Sequence, residues 1–112
     1  MARKLASLFY EVTPTEGLMV TISGPDDPFV AFDDMTLEVA EGVAFALTPQ
    51  MFSGIGAHHV LNVILLFPAG DEPSKGFRIK IAGPDGKTLD IFKKTTPDIE
   101  NTAKVQIMIR VR

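Results

Sequence analysis

The chain has no cysteine and no tryptophan, a single tyrosine, and no apolar run long enough to cross a bilayer as a helix. Without thiols it cannot form disulfides, zinc–thiolate sites or iron–sulfur clusters, and thiol catalysis is excluded. A small secreted domain held by disulfide staples is disfavoured for the same reason. One tyrosine beside eight phenylalanines points to aromatics used as core filler, because binding platforms draw on Tyr and Trp. The longest apolar run, Val60 to Phe67, is broken by Asn62 and falls far short of the ~20 residues of a helical span. Arg3 and Lys4 precede a short apolar stretch that Glu11 interrupts too early for a secretory signal. The expected location is cytoplasmic or within a virion, with no signal peptide.

What is present describes a globular fold. The 112 residues are 46% hydrophobic and 22% charged, which fits one domain over residues 1–112. A chain of this size buries roughly 65% of its unfolded surface, enough for a core without staples.

The clearest local pattern closes the sequence. Ala103, Val105, Ile107, Ile109 and Val111 alternate with Lys104, Gln106, Met108, Arg110 and Arg112. A period of two marks a strand with one buried and one wet face. The same reading gives strands over Lys4–Val12, Leu18–Ser23, Thr36–Val39, Val43–Leu47, Val60–Phe67, Phe77–Ala82 and Thr88–Phe92. Lys4–Val12 and Leu18–Ser23 are expected to form a hairpin through Thr13-Pro14-Thr15-Glu16-Gly17. Alanines opposite Val43, Phe45 and Leu47 suggest that this strand is covered on both faces. Val60–Phe67 reads as a central strand buried on both sides, with a short helix over 57–66 as the competing reading. Gly83-Pro84-Asp85-Gly86 is a hairpin turn, Pro presetting φ and Asp-Gly allowing the reversal. Pro68–Gly76 and Lys93–Thr102 are connections. The fold class is therefore all-β: a single-domain antiparallel β-sandwich, or a small barrel, of seven to eight short strands. A parallel α/β fold has no room for its crossover helices.

The net charge of −3 hides a split. Residues 1–56 hold two basic and eight acidic residues, or −6, and residues 57–112 hold nine basic and six acidic, or +3. The two halves either face each other within one fold or make a bipolar surface through which copies dock.

Candidate chemistry is sparse. Asp26, Asp27, Asp33 and Asp34 fall in one loop region and are the candidate metal ligands, since calcium takes six to eight oxygens; a solvated acidic loop is the alternative. His58 and His59 are adjacent, so on a strand they point to opposite faces and cannot share an ion. Ser53 lacks the Gly-x-Ser-x-Gly elbow of a hydrolase. Gly54-Ile55-Gly56 lacks the third glycine of a dinucleotide loop. No catalytic residue and no cofactor is assigned. Arg78, Lys80, Lys104, Arg110 and Arg112 would make one basic face if their strands were neighbours. They lack interleaved aromatics for stacking bases, and the net charge is negative, so nucleic acid is not the expected partner.

The Pro49–Ala57 loop is the main binding candidate. It sets Met51, Phe52 and Ile55 on a glycine-bearing backbone, either as a plug over the open end of the sandwich or as a docking element. Met51, Phe52, Ile55, Arg110 and Arg112 are the candidate partner-binding residues. The functional expectation is a non-enzymatic structural or interaction module, acting through self-association or on another protein. By analogy of class it suits a homo-oligomer in a repeating assembly, such as a virion decoration or tail component. The alternatives are an Asp-loop calcium- or ligand-binding β-module and a small enzyme with an unrecognised site.

Overall fold

The alternating segment at the end of the sequence becomes the longest strand and sits in the middle of a sheet. The computed structural model describes residues 2–25, 27–52, 56–67, 76–94 and 102–112. Among the described residues ten strands run in chain order: β1 Arg3–Ala6, β2 Phe9–Val12, β3 Leu18–Ser23, β4 Phe29–Phe32, β5 Met35–Leu37, β6 Phe45–Leu47, β7 His58–Leu66, β8 Phe77–Ala82, β9 Thr88–Lys94 and β10 Thr102–Val111. A 3-10 turn spans Pro49–Met51. The strands form a β-sandwich of two sheets, six-stranded β1-β2-β10-β7-β4-β5 and four-stranded β6-β3-β8-β9. All pairings are antiparallel except β2 with β10.

The alternation decides which side chains meet. From β10, Ala103, Val105, Ile107, Ile109 and Val111 are buried. They face Val20, Ile22, Ile79 and Ile81 of the other sheet's inner surface, within a single core cluster. Each such Leu or Ile contributes about 1.5–3 kcal/mol on burial, whereas an exposed ion pair is worth about 0–1 kcal/mol. Apolar stacking therefore holds the two sheets together.

Several expectations are corrected. The segment Lys4–Val12 is two strands, because Leu8 adopts φ 59° and folds β1 back on β2. The segment does not pair with Leu18–Ser23. The turn after β2 instead carries the chain to the other sheet. There Gly17 passes so close to the Leu47 carbonyl that a Cβ would lie 2.3 Å from its oxygen. Phe29–Phe32, absent from the expected strands, is a strand and pairs with β5 and β7.

The strand over 45–47 lies at a sheet edge, with Ala44 and Ala46 exposed and Val43 outside it, so it is covered on one face only. Residues 58–66 form a strand rather than a helix. It is central, but burial alternates along it, leaving Val60 and Ile64 half-buried on the outer side. In β9 a register irregularity near Leu89 breaks the simple alternation. Ile91 is exposed, and Asp90 accepts a hydrogen bond from the buried Tyr10 hydroxyl.

The Gly83–Gly86 hairpin forms as expected, with Gly83 N–H donating to Lys87 O at 2.9 Å and Gly86 at φ 84°. Residues 68–75 and 95–101 of the expected connections lie outside the described residues.

Candidate functional site

The Pro49–Ala57 loop turns part of itself inward. A 3-10 turn places Phe52 against the core with 8% of its surface exposed, and Met51 packs partly beside it. Phe52 meets Phe32 and His59 edge-on at 5.6 and 5.7 Å, while Phe32 stacks on His59 at 5.1 Å. Ile55 and Ser53 lie outside the described residues. Phe52 is thus a plug at this end of the sandwich.

The histidines divide as the strand period requires, His58 exposed and His59 buried. His59 Nδ1 lies 2.6 Å from Asp33 Oδ2, and Val60 N–H donates to Asp33 Oδ1 at 2.9 Å. Asp33 holds φ 51° in the turn between β4 and β5 to make both contacts. Burial acts to raise its pKa, but the hydrogen bonds from His59 and the Val60 amide outweigh that and keep it below the ordinary carboxylate value. The Asp33 carboxylate is thereby committed to the protein's own groups. Asp26 is outside the described residues, while Asp27 and Asp34 are exposed. Among the described residues, no three His, Asp or Glu side chains gather to hold a metal ion.

Arg110 and Arg112 belong to a row that sequence reading missed. Glu11 lies between Arg3 of β1 and Arg110 of β10 in the strand register. Arg3 Nε donates to Glu11 Oε1 at 2.9 Å, and Arg110 Nε donates to Glu11 Oε2 at 3.0 Å. Arg112 approaches to 4.0 Å. The Arg110 hydrogen bond is the main reason that the Glu11 carboxyl stays below its ordinary pKa. The row was illegible because Arg3 reaches Glu11 through the fold-back of β1 on β2, and Arg110 reaches it through the parallel β2–β10 pairing. Glu11 looks in sequence like a break in an apolar stretch.

Below this charged row the outer side of the six-stranded sheet turns apolar. Phe9, Met108 and Val60 lie in register across β2, β10 and β7. Arg110 sits 6.0 Å over the Phe9 ring. Gln106, Asn62 and Ala31 follow, then exposed Lys104 beside Ile64 and Phe29, and Thr102 beside Leu66, so two apolar groups, Phe9–Met108–Val60 and Ile64–Phe29–Leu66, are separated by a polar row and edged by a cation. Phe29, Leu66 and Met108 are 49%, 66% and 36% exposed. A one-sided antiparallel sheet ordinarily presents polar residues at such positions.

The five cations expected to share a face do not. Arg78 and Lys80 lie on β8 in the four-stranded sheet, and Lys104, Arg110 and Arg112 belong to β10 or its end in the other. Their outward sides are the opposite surfaces of the sandwich. Comparison with known proteins gives no matching family, no matching curated protein and no matching solved structure.

Proposed function

We propose that this protein is a non-enzymatic structural module that works by self-association. The observation that carries the reading is the outer side of the six-stranded sheet, where Phe29, Leu66 and Met108 stand exposed beside half-buried Val60 and Ile64. Exposed apolar surface of this kind, rimmed by charge, is typical of a protein–protein contact. Four strands of this face, β2, β10, β7 and β4 with 4, 10, 9 and 4 residues, offer roughly 430 Å² of flat area from strand spacing and rise. That is about half of the roughly 800 Å² per partner of a standard interface, which suits a weak, concentration-dependent contact. A second copy is the favoured partner, because the two halves of the chain carry opposite net charge.

Phe52 is buried as a plug, so Met51 and Phe52 contribute to the fold rather than to the contact surface. Arg110 flanks the apolar rows and belongs to their rim. The test is the mass in solution across a range of protein concentrations. Association into oligomers supports the reading, and a monomer at every concentration removes it.

A further inference from the structure

The charge split becomes geometric in the folded chain. From residue 5 to residue 74 there is no lysine or arginine. That stretch contains β5 and β6, the edge strands on one side of the sandwich. They are joined by residues 38–44, and Leu37, Val39 and Phe45 pack on one core. Asp34 and Glu38 flank β5 with exposed side chains, and Glu41 follows in the connection to β6.

The opposite margin is formed by β1 and β9, which touch each other through the 3.2 Å Lys4–Asp90 ion pair. It carries Arg3 and Lys4 on β1, Lys87 before β9, and Lys93 and Lys94 at its end. Against these five cations stand three carboxylates, Glu11 paired with Arg3 and Arg110, Asp90 held by Lys4 and Tyr10, and exposed Asp85, which leaves the margin a net +2. One margin is therefore cationic and the other anionic.

Among the described residues both margins end in a strand with one unpaired edge. β1 pairs only with β2 among those residues, and β5 only with β4, so each has one edge without a described strand partner. An open edge is a template for another strand, and short strands with edge charges ordinarily suppress such pairing. Here the charges suppress it selectively. Two β1 edges repel each other, as do two β5 edges, whereas a β1 edge and a β5 edge attract.

Resting on the self-association reading above, we infer that copies join head to tail, the β1 edge of one adding to the β5 edge of the next. Such a contact is heterologous, so it propagates into rings or open chains instead of stopping at a dimer. The apolar outer sheet face, the contact proposed above, is then repeated along one side of the assembly, where neighbouring chains can pair face to face.

The experiment is sedimentation velocity at low ionic strength on the whole chain and on Asp34→Lys/Glu38→Lys. Both substituted side chains are exposed, so the melting temperature of the variant should stay close to that of the parent. The parent is expected to pass beyond dimers as concentration rises. The variant alone should associate at least tenfold more weakly. Added to the parent, it should shorten the assemblies, because its intact β1 edge still caps a parental β5 edge. Hydrogen exchange on the assembled parent should show the amides of β1 and β5 gaining protection together.

A variant that associates as strongly as the parent overturns the edge assignment, as does an assembly that leaves both strands unprotected. In either case the parent still associates, and the outer face remains the contact. A parent that stays monomeric throughout removes both readings.

Discussion

Phe52 and Tyr10 show how single side chains are used in the core. Phe52 has few solvent contacts and touches both Phe32 and His59. Truncation leaves a cavity that a plugged end cannot easily collapse, so Phe52→Ala should cost about 3–5 kcal/mol in urea unfolding. Association of the folded fraction should be unchanged; loss of association at undiminished stability would contradict the plug. Tyr10 is buried and donates its hydroxyl to Asp90 Oδ2 at 2.7 Å. Burial first, and the Asp90 charge and hydrogen bond second, push its pKa well above 10.0.

A raised folded-state pKa gives stability that is complete below the unfolded value of about 10 and is lost as pH climbs past it. Stability should therefore fall above about pH 10, and Tyr10→Phe should flatten that fall. Tyr10 is the sole tyrosine and there is no tryptophan, so phenolate absorbance reports it without interference. Phenolate forming near pH 10 in the still-folded protein would contradict the burial argument.

At the level of elements, legibility followed the alternation. β10 was readable to within a residue because its inward positions are Ala, Val and Ile without exception, and the Gly83–Gly86 turn was readable from its Pro and Gly. The break between β1 and β2 was not, because the positive φ falls on Leu8, a residue type with no preference for it. Nor was the β9 irregularity, which sets Ile91 outside and Asp90 toward Tyr10 against simple periodicity. The hairpin expected between Lys4–Val12 and Leu18–Ser23 failed because turn chemistry does not say whether the next strand stays in the same sheet.

The outer face of the six-stranded sheet gives the element-scale prediction. Phe29→Asp/Leu66→Asp changes two side chains that stand half or more in solvent, so stability should move by less than about 1 kcal/mol. Association through that face should weaken measurably in sedimentation. Unchanged association would take the face out of the contact.

For the whole molecule, the numerical charge split was visible in composition, but its meaning depended on strand order. Residues that are distant in sequence, such as Arg3 and Lys93, reach one margin because β1 and β9 are the edges of different sheets on the same side. Asp34 and Glu38 reach the other because β5 ends the larger sheet. The same strand order separates Arg78 and Lys80 from Lys104, Arg110 and Arg112, which dissolves the single basic face that sequence alone allowed. Salt acts differently on the two contact types. The Debye length shrinks from about 10 Å at 0.1 M to about 3 Å at 1 M, weakening charge-steered edges while leaving apolar burial largely intact.

The most direct measurement is the solution mass by light scattering across protein concentration, at low and at high salt. Self-association predicts a mass above the 12.2 kDa monomer that rises with concentration at low salt and drops, in part or fully, at high salt. A constant 12.2 kDa under every condition would contradict it.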